Sequence, residues 1–493
     1  MTLVHRVLPP RPVESLAEHV DRGGGKGIQA AGQVDPETLI TEVEASGLRG
    51  RGGAGFPTGT KWRTVAENSA THLSTTVVVN GAEGEPGTYK DRTILALDPY
   101  SVIEGALIAA RAVAAHTVVF ALKRSFEPVV TRVRAAVAEI ADAGWADGID
   151  ISVFEGPGEY LFGEETALLE TIAGRQPFPR IAPPFRRGVD EVVGTEADVT
   201  SDSGLSAPVG MAGPADDSSA PPTLVDNVET LANVPRIIAR GADWFRTEGT
   251  EKSPGTIVCT VTGMVHHHGV GEVMMGTPLS EVIDDIGGGP LPGRRIKAVM
   301  SGVATGLLTG DLLDTPVSYE ALSEAGSGLG SGGFMVYDDT ADIAAVAAGA
   351  SRFLAVESCG QCTPCKQDGL LLAELWAKLC ANEATDADLD EIRTRSATVG
   401  DQARCYLATQ HQILATSILE RFGDDVAAHL DGTAEAVEAA LVAELVDISD
   451  GKATFDTRHL DKQPDWTFDA TSSGKSPADR FAEHRDHEKA LEK

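Results

Sequence analysis

Residues 47–62 read GLRGRGGAGFPTGTKW, and what stands on either side of this glycine run decides the kind of fold it serves. Six of its first thirteen residues are glycine, and Gly50, Gly52 and Gly55 satisfy G-x-G-x-x-G. In a dinucleotide-binding βαβ unit that fingerprint follows a strand and opens a helix. Here the order differs. The segment before it, LITEVEASGL, has apolar residues at helical spacing, and Asp35-Pro36-Glu37 opens it as an N-cap, a proline at the first helical position and a first-turn acid. After the run, TTVVVN (75–80) reads as a buried strand. A helix precedes and a strand follows, which argues against a Rossmann turn. A P-loop fails as well, because threonine stands at 60 where G-x-x-x-x-G-K-[ST] needs glycine. A different anion cradle is left, with glycines that allow close backbone approach and positive charge from Arg51 and Lys61. Phe56, Pro57 and Trp62 are out of place in a purely flexible linker.

Outward from this run, helical patterns alternate with the β-branched strands AHTVVFAL (115–122) and DISVFEG (150–156). Alternation of this kind predicts an α/β layered domain over residues 1–250. Within it, 187–222 is rich in Gly, Ser, Pro and Asp and reads as a long, partly mobile surface loop. From 251 to 338 the short runs GTIVCTVTG, KAVMSG and GGFMVYDD predict a small β-rich domain. From 339 to 447, DIAAVAAGASRFLAVE and DGLLLAELWAKL place alanine and leucine at helical spacing and predict a helical bundle. Residues 448–493 are charged, with few apolar anchors, and are expected to be extended or to lie against a partner.

The 493 residues carry a net charge of −32, which argues against nucleic acid or an anionic membrane as the main partner. The most apolar stretch, 102–122, contains Glu104, Arg111 and His116, so it reads as a buried helix followed by a strand rather than a membrane span. The start, MTLVHRVLPPRPVE, lacks a sustained apolar signal region. A cytoplasmic protein without direct membrane insertion is expected. Six cysteines are too few to staple a chain of this length, and their clustering suits a reducing compartment.

Four of those cysteines carry the strongest chemical signal. ESCGQCTPC (357–365) places Cys359, Cys362 and Cys365 in C-x2-C-x2-C, and Cys405 lies forty residues on. One tight loop can wrap three corners of a cubane and a distant thiolate can close the fourth, so the spacing points to an iron–sulfur cluster. Structural zinc favours two separated pairs, and no second pair is present. Cys259 and Cys380 stand alone and are expected to be small buried residues. Two further islands, VVVNGAEGEPGTYKDRTIL (77–95) and GPGEYLFGEETALLE (156–170), share the density of glycine and charge seen at 47–62. Acids opening a helix are ordinarily dipole partners, but three such islands in one domain favour a shared ligand site.

These stretches, with APPF and DNVETLANVP, occur in one order over roughly residues 35–420, and together the chain resembles one family. It is the NADH-binding flavoprotein subunit of respiratory complex I, shared with NAD-linked hydrogenases and formate dehydrogenases. The resemblance implies an α/β FMN-binding domain, a ubiquitin-like β-grasp (SLBB-like) domain and a helical bundle holding a [4Fe–4S] cluster. It implies that Gly50, Arg51, Gly53 and Lys61 line the FMN phosphate and nearby nicotinamide pocket. Asn80, Glu83, Tyr160, Gly163, Glu164 and Asn227 would contact the flavin or its tail. Phe56, Glu85, Glu165 and Phe185 match positions that hold NADH, with Glu85 and Glu165 acting by placement rather than proton transfer. Cys359, Cys362, Cys365 and Cys405 match the cluster ligands. The implied activity is an NAD(H)-linked diaphorase module passing electrons between NADH, FMN and the cluster. The implied partners are a thioredoxin-like [2Fe–2S] subunit and further redox subunits, with no protein nucleophile required.

Several positions depart from the family pattern. Thr64 stands where an aromatic often stacks on adenine, Ala82 replaces a frequent aspartate, and Asp226 replaces a frequent asparagine. After Cys405 the chain runs YLATQHQIL, without the family's glycine. These differences suggest a paralogue in a soluble or peripheral oxidoreductase, and they motivate an alternative, a scaffold or electron-transfer subunit that keeps FMN and cluster but has lost nicotinamide binding. His266-His267-His268 is expected to be a solvated turn rather than a metal site.

Overall fold

The run TTVVVN becomes one of the two inner strands of a parallel sheet. In the computed structural model, which describes residues 3–69, 75–189, 220–468 and 471–491, β1 (Thr75–Gly81), β2 (Ala115–Lys123), β3 (Asp150–Gly156) and β4 (Thr223–Asn227) are ordered β3-β2-β1-β4. All three pairings are parallel. Such a sheet is covered on both faces, which explains the unbroken apolar run of β1. The chain lays β2 and β3 on one side of β1 and then places β4 on the other. The strand order thus reverses between β1 and β4, where Asn80 and Asn227 stand side by side at the carboxyl ends. Open α/β sheets bind ligands in the crevice at this kind of switch point.

Four helices precede β1: α1 (Leu16–Asp21), α2 (Lys26–Ala31), α3 (Pro36–Ser46) and α4 (Thr58–Asn68). The Asp35 side chain caps α3 by accepting the Thr38 N–H at 2.8 Å, as the sequence predicts, and Gly47 ends it at a φ of 70°. The glycine run then leads into α4 rather than directly to a strand. Its sequence, TGTKWRTVAEN, holds glycine and three threonines, which are weak helix formers. Buried Trp62 and Val65 hold α4 to the core, so tertiary packing supplies what local preference lacks.

After β1 come α5 (Lys90–Leu97) and α6 (Pro99–Ala112), α7 (Glu127–Asp142) joins β2 to β3, α8 (Glu165–Ile172) follows β3 and α9 (Val228–Arg240) follows β4. Helices α6 and α9 pack closely because Gly105 has no side chain; a Cβ there would come within 2.0 Å of the Leu231 carbonyl. The apolar stretch 102–122 is thus a buried helix and then β2, as expected. Glu104 is satisfied by the N–H groups of Gly25 and Ile28 and by His19. Val78, Val119, Phe154, Phe162 and Leu168 fill the opposite face of the sheet. Among the described residues no single helix is long and apolar enough to cross a membrane.

Beyond α10 (Ala242–Phe245), a second sheet contains β5 (Thr256–Gly263), β6 (Gly269–Met274), β7 (Ile296–Ser301), β8 (Leu308–Thr309) and β9 (Gly333–Asp338) in the order β6-β5-β9-β7-β8. Only the central β5–β9 pair is parallel. Helix α11 (Leu279–Gly287) packs on β5 and β6, and α12 (Tyr319–Glu324) reaches back to the glycine run. Helices α13 (Ile343–Glu357), α14 (Thr363–Cys380), α15 (Asp386–Thr398) and α16 (Leu407–Arg421) pack on one another, with α17 (Gly423–Leu430) against three of them. Cys259 and Cys380 are both buried, as expected.

The C-terminal stretch corrects the sequence reading. It is folded onto the rest of the chain rather than extended. The hairpin β10 (Leu445–Ser449) and β11 (Lys452–Phe455) is followed by a 3-10 turn, Thr457–Leu460, and by α18 (Pro477–Leu491). Arg352 donates to the carbonyls of His459, Leu460 and Lys462, and Phe178 packs against Trp466 and Phe481. The anchors are few, but each meets a partner. His266 and His267 are exposed, as a solvated turn requires, whereas His268 accepts the Ala453 N–H at 2.8 Å and seats the hairpin. Most of the loop expected over 187–222 lies outside the described residues.

Candidate functional site

At the carboxyl ends of β1 and β4 three of the expected stretches meet. Asn80 donates to the Gly163 carbonyl at 2.9 Å, which ties the strand end to the turn Tyr160–Gly163 before α8. Asn227 caps α9 by accepting the Glu229 N–H, and its amide donates to Asp91 at 2.7 Å. The glycine run lies in front of it. A Cβ on Gly52 would sit 3.3 Å from the Asn227 Cβ, and Gly53, at a φ of 128°, approaches Gly330. Gly50 is pinned by its N–H to the Phe56 carbonyl and by its carbonyl to the Tyr319 hydroxyl. Phe56 at the tip is 53 % exposed, free to cover a ligand.

Lys61, at the start of α4, is bonded to Glu165 Oε1 at 2.6 Å and to the Val225 carbonyl at 2.7 Å. Burial opposes its charge, but Glu165 and Asp226 outweigh that and hold its pKa above the ordinary lysine value. Asp226 is buried beside Lys61 and accepts the Trp62 indole N–H at 2.7 Å. Burial pushes its carboxyl up to about 6 against the pull of Lys61. The departure at 226 therefore adds no free acid to the crevice. Ala82 is buried in the apolar face of the sheet, and the Thr64 hydroxyl donates to the Thr60 carbonyl.

Glu85 sits where both sheets and the helices converge. Its Oε2 accepts the Tyr160 hydroxyl at 2.5 Å and its Oε1 accepts the Val303 N–H at 2.6 Å. Burial pushes its carboxyl up to about 7. Burial, with Glu85 beside it, drives Tyr160 well above the usual phenol value.

Three of the expected contact residues also have partners within the fold. Arg51 does not offer its charge to the crevice. Its guanidinium is buried and donates to the carbonyls of Arg49, Pro254 and Thr256, so it props the glycine run from behind. Glu83 pairs with Arg92 at 2.8 Å and accepts the Asp91 N–H, which anchors the start of α5. Glu164 caps α8 through the N–H groups of Thr166 and Ala167. Phe185 stands apart: the neighbouring Pro184 carbonyl meets Thr223, at the opposite end of β4 from Asn227 and about 13 Å away by strand rise. Sequence reasoning missed Gln410, whose amide donates to the Tyr160 hydroxyl at 3.0 Å from 250 positions away.

The four cysteines line one pocket with Leu161, Pro179, Ser358, Gln361, Ala403, Arg404, Leu407 and Ala408. Burial raises the Cys359 and Cys405 thiols and pushes Cys365 up to about 11, so positive metal is needed to hold them as thiolates. Among the described residues, no three His, Cys, Asp or Glu side chains gather closely enough for a single metal ion. Four cysteines around one shared pocket fit the corners of a cubane. The Gln361 amide lies 3.4 Å from Cys359 Sγ and the Ser358 hydroxyl 3.3 Å from Cys365 Sγ, bonds of the kind that tune a cluster. The crevice likewise fits a flavin phosphate: a glycine run without side chains, a lysine, and two strand-end asparagines at a switch point.

Comparison with known proteins gives the same order of parts. The Nuo51 FMN-binding domain family matches residues 43–236, and the NADH-ubiquinone oxidoreductase-F iron-sulfur binding region matches residues 345–429. The second NADH-quinone oxidoreductase F subunit of Rhizobium meliloti is 34% identical over 432 residues, covering 85% of this chain and 96% of its own. The NADH-quinone oxidoreductase F subunit of Mycobacterium bovis is 36% identical over 420 residues, covering 83% and 88%. A crystal structure of an NAD+-reducing [NiFe]-hydrogenase in the H2-reduced state superposes with a TM-score of 0.71 at 31% identity, covering 84% of this chain. This chain spans 66% of the hydrogenase chain.

Proposed function

This chain belongs to the NADH-quinone oxidoreductase-F family, and from that premise we propose that it is the NAD(H)-linked diaphorase module of a multi-subunit oxidoreductase. Its cofactors are FMN and a [4Fe–4S] cluster, and its reaction is electron transfer between NADH, flavin and cluster. When bound, the flavin supplies hydride acceptance and two-to-one electron conversion, and the cluster supplies one-electron transfer. The protein binds and positions.

Lys61 and the backbone of Gly50–Gly53 hold the flavin phosphate, while Asn80, Tyr160, Gly163 and Asn227 set the ring and tail. Arg51, Glu83 and Glu164 hold the walls in shape. Glu85 and Glu165 accept hydrogen bonds from ribose hydroxyls or the nicotinamide amide, Phe56 covers the dinucleotide, and Phe185, set apart, serves its far end. Cys359, Cys362, Cys365 and Cys405 hold the cluster. The second sheet is read as a β-grasp domain over 251–338 and the helices after it as the cluster-bearing bundle over 339–447, following the α/β domain of 1–250. The module acts in the cytoplasm beside a thioredoxin-like [2Fe–2S] subunit or a similar redox partner.

The observation that carries this reading is the meeting of the glycine run with Asn227 at the β1/β4 switch point, beside the Lys61–Glu165 pair, while Asn80 binds the turn whose Tyr160 holds Glu85. The test is anaerobic addition of NADH to the reconstituted protein. Bleaching of the flavin absorbance supports the reading, and a flavin that stays oxidised leaves only a scaffold that has lost nicotinamide binding. The turn of Asp226 toward Trp62 removes one of the departures that favoured such a scaffold.

A further inference from the structure

Gln410 lies one turn into α16, the helix that begins two residues after Cys405, and it is only 7% exposed. A buried amide needs hydrogen-bond partners. Its Nε2 is 3.0 Å from the Tyr160 hydroxyl and its Oε1 is 3.4 Å away. The Tyr160 hydroxyl has a single proton, and Glu85 Oε2 takes it at 2.5 Å. While Glu85 is ionised the hydroxyl must therefore accept from Gln410, which fixes the amide orientation by elimination. Phe353 meets the Tyr160 ring edge-on at 5.3 Å, and the Tyr160 backbone N–H is bonded to Glu357.

We propose that Gln410 is a positioning residue for the nicotinamide end of the site: its amide fixes the Tyr160 hydroxyl, and through it the carboxylate of Glu85, from the helix that starts beside the cluster ligand Cys405. The proposal rests on the reading of Glu85 as an acceptor for the dinucleotide. Glu85 is faced by the Tyr160 hydroxyl and by the N–H groups of Val303 and Ala304. Tyr160 in turn is faced by Gln410, with Glu357 at its N–H and Cys405 further along. An amide that donates to a hydroxyl makes that hydroxyl a better donor, and so favours the charged, hydrogen-bond-accepting form of the carboxylate.

The test uses the full chain loaded with FMN and cluster, and measures NAD+ affinity by calorimetry between pH 5.5 and 8.5, without turnover. Affinity in the parent protein is expected to rise through a step near pH 7 as Glu85 ionises. Q410M keeps length and shape but cannot donate, and should move that step upward by roughly half a pH unit, a threefold change in the ionisation equilibrium. Y160F should move it at least as far, and Q410M/Y160F no further than Y160F alone. If Y160F moves the step while Q410M leaves it in place, or if the two shifts add, the role of Gln410 is overturned. If E85Q retains the step, the reading of Glu85 itself fails, a separate outcome. Should Q410M lose flavin, Q410L is read by the same criteria.

Discussion

Lys61 and Arg51 are ten residues apart in one glycine-rich stretch, and the structure gives them opposite duties. Lys61 is held beside the crevice by Glu165 and a single carbonyl, so its charge is available to a ligand anion. Lys61→Ala removes a charge-assisted bond of ~1.5–3 kcal/mol, and FMN affinity measured by flavin fluorescence should fall roughly 10- to 100-fold with little change in Tm. Arg51 faces three carbonyls, two of them in buried contacts. Arg51→Ala leaves them unpaired, and should cost about 3 kcal/mol or more in a denaturant titration even of flavin-free protein. From sequence these two cations looked alike. Which of them is consumed inside the fold depends on Pro254 and Thr256, some 200 positions away, and no local pattern carries that. The grouping of four cysteines around one pocket was legible for the opposite reason: three of them sit within seven residues.

At the scale of elements, strands β1, β2 and β3 were readable because a parallel sheet buried on both faces requires continuous β-branched runs. Helix α4 was not, since burial of Trp62 rather than propensity makes it helical. The seat of α1 and α2 on α6 was equally hidden. It rests on His19, buried between Asp98 and Glu104 at 3.4 Å and 3.1 Å. Burial opposes the imidazolium, but the two carboxylates outweigh it and raise the pKa from 6.5 to about 9. The folded value exceeds the unfolded one, so the stabilisation, on the order of 3 kcal/mol, is complete below pH 6.5 and is lost as pH rises through about 9. The Tm difference between the parent protein and His19→Gln should be largest near pH 6, shrink as pH rises from 6.5, and be almost gone by about pH 9.

For the whole molecule, the order of parts along the chain was legible from composition, whereas the fate of the C-terminal stretch was not. Its contacts are sparse in sequence and distant in origin: Lys462 bonds Glu357 at 2.5 Å, Lys366 bonds Asp479 at 3.0 Å, and the Ala478 N–H meets the Cys359 carbonyl at 3.0 Å. These contacts wrap the cysteine loop from outside. A chain ending at Phe455 should keep its flavin but lose cluster absorbance several-fold faster in air, because one wall of the loop is then open to solvent; equal rates would mean that the wrap protects nothing. The same wrap sets a size limit inside the cysteine loop. Ser476 lies where a side chain on Gly360 would stand, 2.2 Å from the position of its Cβ, and Gly360 has a φ of 75°. Any larger residue at 360 would strain its own backbone and push the C-terminal stretch off the loop, so that one glycine is what allows the two to lie in contact.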